Sequence, residues 1–320
     1  MADVTSFLLI GAVAAGVTFV ATPLVGRLAR RYGWVYLPND RTVHTEPLPD
    51  VGGLAMLVGL CVALGVAWLH DDFSALFDRN SEPLGVLIAA FIVYGVGFLD
   101  DVRELSPPAK ITGIVVAGLV LVWFGVVMFS FRLPYLGVTV LSDDLKPLIT
   151  VLWLIGMTQA VNLIDGLDGL AAGVVAIGAF AFFLYSQELS SLGLLEPGNI
   201  GPLFAIIAVG VCVGFLPHNF NPARIMMGDG GAFLLGLLLA VSTSVVGGRA
   251  DSFDRGFIGT TYFFLAPIAI PLLILAVPIV DTLFAIVRRA TGRRGLASAD
   301  KGHLHHRLMD LGHGHRRSVL

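Results

Sequence analysis

Long, continuously apolar stretches alternate with short polar segments along almost the whole chain. We predict nine membrane-spanning helices, each long enough to cross about 30 Å of hydrocarbon, at 5–26, 53–70, 83–99, 111–131, 147–163, 170–187, 201–217, 230–247 and 261–287. A transmembrane β-barrel is excluded, because its strands alternate between apolar and polar residues. The pattern therefore predicts an all-α, polytopic integral membrane protein that forms a single domain over residues 1–320.

Lysine and arginine residues are distributed unevenly between the two sets of connecting segments. No basic residue precedes the first apolar stretch, which favours a retained span, with its N-terminus outside, over a cleaved signal peptide. With that orientation the inside segments carry 15 of the 20 Lys and Arg residues, in agreement with the positive-inside rule. Residues 288–320 then form a cytoplasmic segment that is rich in basic and histidine residues.

The composition agrees with a membrane protein and excludes some other classes. Hydrophobic residues make up 56% of the chain and charged residues 13%, about half the charged share of a soluble domain. The net charge of −3 says little about partners, because the placement of charge matters more than its sum; for a membrane-embedded chain we expect no nucleic-acid partner. Cys61 and Cys212 both lie in apolar stretches, so they predict neither a disulfide framework nor a metal site.

Four polar clusters interrupt the apolar pattern, and the predicted topology places all four on the inside. They read DDVRELSPPAK at 100–110, NLIDGLDG at 162–169, HNFNPARIMMGDGG at 218–231 and KGHLHHRLMDLGHGHRR at 301–317. The outside loops also contain acids, but without histidine or glycine-rich surroundings. A single active site that is assembled from several loops would produce this one-sided distribution.

The first cluster combines two adjacent carboxylates with two cations. One carboxylate of a close pair such as Asp100 and Asp101 can act as a general base, although a solvated helix end explains the pair equally well. Arg103 and Lys110 supply positive charge that suits a phosphate.

The second cluster repeats a polar residue at every third position. If the backbone is helical, Asn162, Asp165 and Asp168 lie on adjoining parts of one face. The alternative for Asp168 is that it caps the following helix.

The third cluster carries Asp229 between glycines at the start of the eighth span. Asp229 could cap that helix or supply an oxygen ligand to Mg²⁺, and both roles can hold at once. Upstream, His218, Asn219 and Asn221 could bind a ligand or merely satisfy the loop.

The fourth cluster is dominated by histidines. His303, His305 and His306 lie near Lys301 and Arg307, and no cysteine or HExxH spacing accompanies them, which favours anion binding over zinc. A basic tail that is held against anionic lipid head groups is the alternative.

Together these motifs resemble the polyprenyl-phosphate N-acetylhexosamine-1-phosphate transferases. The resemblance runs in order from RTVHTEPLPDVGGLAM at 41–56 through the four clusters, and VHTEPLPDVGG and HLHH are similar to the branch that uses UDP-GlcNAc. It implies transfer of GlcNAc-1-phosphate from UDP-GlcNAc to undecaprenyl or another polyprenyl phosphate, with release of UMP. The implied place is the cytoplasmic face of the bacterial plasma membrane, at the first membrane step of cell-envelope glycan synthesis. The resemblance also implies one or two further spans after the histidine motif.

The same resemblance implies roles for individual residues, with Asp100 as the base that acts on the lipid phosphate. The implied catalytic residues are four carboxylates: Asp100, Asp101, Asp165 and Asp168. The implied substrate-binding residues are Asn162, His303, His305 and His306, and the positive charges of Lys110 and Arg307 make these two residues further candidates. Asp229 and Asp101 are the implied ligands of Mg²⁺, for which Mn²⁺ could substitute.

Other functions match parts of the pattern. A UDP-MurNAc-pentapeptide translocase-type transferase shares the chemistry but typically shows three consecutive histidines. The DGLDG sequence suggests a CDP-alcohol phosphatidyltransferase, but the Arg and the two further acids that should follow are absent from LAAGVVAIGAFAFFL. A secondary transporter would carry its acids near the bilayer midplane, whereas these are predicted at the inner rim. Apolar faces between the helices could also support a homodimer.

Overall fold

The computed structural model describes residues 3–36, 47–78, 80–133, 137–196, 198–247 and 249. Its helices are α1 Val4–Tyr32, α2 Gly53–Leu69, α3 Ser74–Phe77, α4 Glu82–Arg103, α5 Pro107–Trp123, α6 Leu145–Ile164, α7 Leu170–Ser191, α8 Gly201–Asn219 and α9 Gly228–Gly247, with a 3₁₀ turn at Asp71–Phe73. Two antiparallel strand pairs accompany them, β1 Val35–Tyr36 with β2 Leu48–Pro49 and β3 Ser130–Leu133 with β4 Gly137–Val140.

The predicted class, an all-α polytopic membrane protein, is confirmed. Eight of the nine predicted spans coincide with a helix of the structure, and the ninth, 261–287, lies outside the described residues. Among the described helices, six are long and apolar enough to cross a membrane, and α2 with the bent segment 71–77 would make a seventh. The remaining apolar helix, α5, has 17 residues.

Several helix ends differ from the prediction, because the end of an apolar stretch is not the end of a helix. α4 continues past the predicted residue 99 and includes both Asp100 and Asp101. α5 begins at Pro107 rather than 111, since the first turn of a helix needs no N–H from proline. It ends at Trp123 rather than 131, because Gly125 adopts a φ of 88° and turns the chain.

α9 is the central helix of the bundle. Its sequence is apolar on all sides, and nearly all of its residues are buried, as expected for a helix without a polar face. It packs against α2, α4, α6, α7 and α8. Around it, α1 packs on α2 and α8, α7 packs on α8, and α5 packs on α4.

Glycines let α2 and α4 approach the first turn of α9 very closely. A Cβ atom added to Gly97 of α4 would lie 2.4 Å from the Cα atom of Gly230, and one added to Gly53 of α2 would lie 2.3 Å from the backbone nitrogen of Gly231. Small residues at such crossings allow two helix backbones to come into contact. The start of α9 is therefore held between α2 and α4.

Four connecting segments meet at one end of the bundle, which we call the site end. They are the described parts of the first connection, residues 33–36 and 47–52, together with residues 104–106, 165–169 and 220–227. Backbone hydrogen bonds join the first to the last, from the N–H of Met226 to the carbonyl of Pro49 at 2.8 Å and from the N–H of Gly52 to the carbonyl of Met226 at 2.9 Å. The structure thus brings the first three polar clusters together, while the histidine cluster at 301–317 lies outside the described residues.

Candidate active site

A lysine links two carboxylates from different helices at the site end. The Nζ atom of Lys110, in the first turns of α5, contacts the Oδ2 atom of Asp100 and lies 3.1 Å from the Oδ2 atom of Asp229. Asp100 also accepts a 2.6 Å hydrogen bond from the N–H of Leu105, which fixes its carboxylate at the end of α4. The three side chains are largely but not completely buried, so a substrate phosphate can reach them.

Asp101 binds the N-terminus of α9. Its Oδ1 atom accepts the N–H of Asp229 at 2.7 Å and its Oδ2 atom accepts the N–H of Gly230 at 3.2 Å. Gly228 makes this contact possible, because its φ is 69° and a Cβ atom there would lie 2.5 Å from Asp101 Oδ2. Two N–H groups of the first turn of α9 are thus satisfied by Asp101. Capping as the alternative role of Asp229 is wrong, and its own carboxylate faces Lys110 instead.

Asp168 joins two of the loops. It is fully buried, and its Oδ2 atom accepts hydrogen bonds from Asn221 Nδ2 at 2.8 Å and from the N–H of Ala223 at 3.0 Å. The residue before α7 is Gly169, and α7 has no side-chain cap, so the capping alternative for Asp168 is wrong. The structure gives Asp168 a positioning contact, and the catalytic role implied by the resemblance stays a prediction.

Asn219 reinforces the same junction. Its Oδ1 atom accepts the N–H of Gly169 and its Nδ2 atom donates to the carbonyl of Ile225, each at 3.0 Å. Of the two alternatives for Asn219 and Asn221, ligand binding or satisfaction of the loop, the structure shows the second.

Asp50 is a further acid of the site, and sequence reasoning missed it. It lies between β2 and α2, and burial, followed by the charge of Asp229, raises its pKa to about 6. The signal was available, since Asp50 is part of the LPDVGG motif on the same predicted membrane face.

Asp165 directly follows α6 and faces the same group of acids. Its pKa is raised well above the usual value by burial and then by the charges of Asp50, Asp229 and Asp168. Asn162, whose carbonyl accepts the N–H of Asp165 at 3.1 Å, lies in the last turn of α6. The second cluster therefore contributes a carboxylate and an amide to the site end.

The donor atoms are consistent with a magnesium ion that is bound together with a phosphate. Within the described ranges, no three His, Cys, Asp or Glu side chains form a ready-made metal cage. Mg²⁺ needs only one or two protein carboxylates and completes its shell with phosphate and water. After burial, the charge of Asp229 raises the pKa of Asp50, and the charges of Asp50 and Asp229 raise the pKa of Asp165; a divalent cation beside these carboxylates would relieve that repulsion. The residues therefore fit the predicted ion.

The structure describes seven of the eleven predicted site residues and brings them to one end of the bundle. They are Asp100, Asp101, Lys110, Asn162, Asp165, Asp168 and Asp229. The other four, His303, His305, His306 and Arg307, lie outside the described residues and stay predictions.

Comparison with known proteins shows the same similarity along nearly the whole chain. The model of glycosyl transferase family 4 matches residues 83–247. Decaprenyl-phosphate N-acetylglucosaminephosphotransferase of Mycobacterium leprae is 38% identical over 320 residues, which cover 98% of this chain and 79% of the relative. Probable undecaprenyl-phosphate N-acetylglucosaminyl 1-phosphate transferase of Bacillus subtilis is 33% identical, with coverages of 94% and 76%. Phospho-N-acetylmuramoyl-pentapeptide-transferase of Staphylococcus saprophyticus is 29% identical, with coverages of 78% and 79%.

Proposed function

This chain belongs to glycosyl transferase family 4 and to the polyprenyl-phosphate sugar-1-phosphate transferases that its motifs resemble, and from this premise we propose that it transfers GlcNAc-1-phosphate from UDP-GlcNAc to a polyprenyl phosphate. The products are polyprenyl-diphosphate-GlcNAc and UMP. The GlcNAc-named relatives are 38% and 33% identical, whereas the pentapeptide-transferase relative is 29% identical, and this order supports GlcNAc as the sugar.

The observation that carries the proposal is the contact of Lys110 with both Asp100 and Asp229. Phosphate oxygens compete well for a lysine ammonium group, because the charge-assisted hydrogen bonds are of the same kind. A substrate phosphate can therefore bind Lys110 in place of the two carboxylates, which become available for the reaction. The contact lies at the end of apolar helices, where a lipid phosphate and a water-soluble nucleotide can meet.

The reaction exchanges one phosphorus–oxygen bond for another. An oxygen of the lipid phosphate attacks the phosphorus that carries the sugar, and the bond from that phosphorus to the bridging oxygen breaks. The bridging oxygen leaves with UMP. Asp100 accepts the proton when the lipid phosphate is monoprotonated, since the second pKa of a phosphate monoester is about 6. Lys110 stabilises the negative charge on the phosphate oxygens during transfer.

Asp229 is the residue that would hold Mg²⁺, or Mn²⁺ in its place. When bound there, such an ion would neutralise diphosphate charge and so would favour the departure of UMP. Asp101 positions Asp229 by binding its backbone N–H. Asn162 and Asp165 are assigned to the nucleotide side, and the histidines at 303, 305 and 306 to the diphosphate.

We place the site end on the cytoplasmic side of a bacterial plasma membrane, where UDP-sugars are found. The distribution of charge along the described chain supports this orientation. Basic residues near the site end are Arg27, Arg30, Arg31, Arg103, Lys110 and Arg224, whereas the described basic residues near the opposite end are Arg132, Lys146 and Arg249.

The direct test is an assay of the purified full chain with undecaprenyl phosphate, Mg²⁺ and radiolabelled UDP-GlcNAc. We expect labelled lipid diphosphate and an equal amount of UMP. UDP-GalNAc and UDP-MurNAc-pentapeptide serve as competing donors in parallel reactions. Turnover with the pentapeptide donor alone would contradict the assignment of the sugar, and no UMP from any donor would contradict the proposed reaction.

A further inference from the structure

A basic cavity lies at the site end, between the last turns of α1 and α8. It has a volume of about 220 Å³, and its lining residues include Arg27, Arg30, Arg224 and His218. No acid is among its lining residues, and neither are the residues assigned above to the transferase site. The cavity is therefore a separate feature of the molecule.

A proline in α1 explains why the two helices are joined there. Pro23 has no N–H, so the carbonyl of Phe19 lacks its partner one turn later in the helix. His218 Nε2 donates a 3.0 Å hydrogen bond to this carbonyl from α8, and its ring packs on that of Phe19 at 4.9 Å between centroids. The contact fixes the two helix ends that form the walls of the cavity.

Three arginines converge on this cavity from two parts of the chain. Arg27 and Arg30 are three residues apart on α1 and so lie on adjoining parts of one face. Arg224 follows the loop that Asp168 holds, and its backbone N–H donates to the carbonyl of His218 at 2.9 Å. In the described part of the chain none of the three guanidinium groups forms an ion pair with a carboxylate. A phosphate, which guanidinium groups bind with two parallel hydrogen bonds, would offset their repulsion.

An apolar groove adjoins the cavity through Arg224. The groove has a volume of about 700 Å³ and runs between α7 and α8, where Arg224 lines its end and Leu170, Ile177 and Leu216 line its length. Ile177 is 71% exposed, so the groove opens sideways. Since α7 and α8 are both long and apolar enough to span a membrane, we expect its open side to face lipid rather than water.

We propose that this cavity and groove bind an anionic glycerophospholipid. The phosphate diester lies among Arg27, Arg30, Arg224 and His218, and one acyl chain lies in the groove between α7 and α8. A soluble phosphate would use the same cationic groups but would leave the groove empty. Leu24 and Leu28, which are exposed on α1 beside the cavity, are further apolar surface for the lipid. The site is independent of the transferase reaction proposed above.

The test compares two double variants that remove the same amount of charge at the site end. Arg30→Gln with Arg224→Gln removes two lining residues, whereas Arg31→Gln with Arg103→Gln removes two exposed arginines that do not line the cavity. The full chain in detergent is titrated with phosphatidylglycerol or with phosphatidylcholine of the same acyl chains, and bound lipid is counted by native mass spectrometry. We expect the first variant to lose affinity for phosphatidylglycerol by about tenfold or more, from two charge-assisted hydrogen bonds. The control variant should bind as the unmodified chain does.

A second variant tests the groove without touching the charges. Gly173 lines the groove, and a Cβ atom there would meet nothing within 4 Å, so Gly173→Phe should fill it. Gly156→Phe, at an equally open position on α6, is the matched control. We expect Gly173→Phe to weaken binding of long-chain phosphatidylglycerol only. If the arginine variant does not fold, this pair still tests the proposal.

Three results would overturn the proposal. One is equal binding of phosphatidylglycerol by the Arg30/Arg224 variant and its control. Another is equal binding of phosphatidylcholine and phosphatidylglycerol by the unmodified chain. The third is displacement of phosphatidylglycerol by inorganic phosphate at millimolar concentration, with full binding retained in Gly173→Phe, which would assign the cavity to a soluble anion.

Discussion

Replacing Lys110 with methionine removes the cation between Asp100 and Asp229 while it keeps most of the side-chain volume. Lys146→Met is the matched control, because Lys146 also binds an aspartate, Asp143, at 2.7 Å. The Asp143 side chain is 95% exposed, whereas that of Asp100 is 12% exposed. The two changes therefore remove the same chemical group from a buried and from a solvated ion pair.

The expected loss of stability follows from these exposures. A hydrogen bond to a charged group contributes about 1.5–3 kcal/mol, and Lys110 makes two such contacts. Its own side chain is 25% exposed, so solvent screens part of this energy. We expect a net loss of about 2–3 kcal/mol, since Asp100 and Asp229 would also repel each other once the lysine is gone. The exposed pair of Lys146 should contribute about 0–1 kcal/mol.

Two assays follow the change. For Lys110→Met we expect the apparent melting temperature in detergent to fall by about 3–5 °C and the rate of UMP release to fall by about 100-fold or more. Lys146→Met should leave the rate unchanged and the melting temperature nearly so. Normal turnover by Lys110→Met, or an equal loss in both variants, would refute the assignment of Lys110 to the phosphate.

Three further predictions concern the acids and the glycine contact of α4. Gly97→Ala should lower stability by about 1–3 kcal/mol and slow turnover, because its Cβ atom would meet backbone, whereas Gly95→Ala on the same helix meets nothing within 4 Å and should be neutral in thermal unfolding. Asp229→Asn should abolish Mg²⁺-dependent UMP release, with the exposed Asp143→Asn unaffected. Asp50 has a raised pKa of about 6, so its ionisation destabilises the fold as pH rises from about 4 to 6; Asp50→Asn should raise the melting temperature at pH 7.5 in metal-free buffer and change it little at pH 4.

Each of these three has a clear contrary result. Equal behaviour of the two glycine variants would mean that the α4–α9 contact does not limit the position of α9. Full turnover by the Asp229 variant would remove the metal assignment. A lower melting temperature of the Asp50 variant at pH 7.5 would mean that its carboxylate makes a favourable contact when ionised.

The sequence predicted the helices better than it predicted their contacts. Apolar length alone located eight of the described helices, and the one-sided polar clusters predicted that Asp100, Asp165 and Asp229 would meet. It did not predict that Asp101 binds the first turn of α9, because the two positions are 128 residues apart and no local pattern connects them. The hydrogen bond from Asn221 to Asp168 was missed for the same reason.

The close packing of α9 against α4 has a consequence for which parts of the site can move. Two contacts hold α4 against the first turn of α9: the close backbone approach at Gly97 and the hydrogen bond that Asp101 accepts. Asp100 and Asp229 are therefore held in a fixed relative position. Lys110 belongs to α5, which touches α4 and α6 at the margin of the bundle. We therefore expect any movement that accompanies substrate entry to occur at α5, while Asp100 and Asp229 keep their relative position.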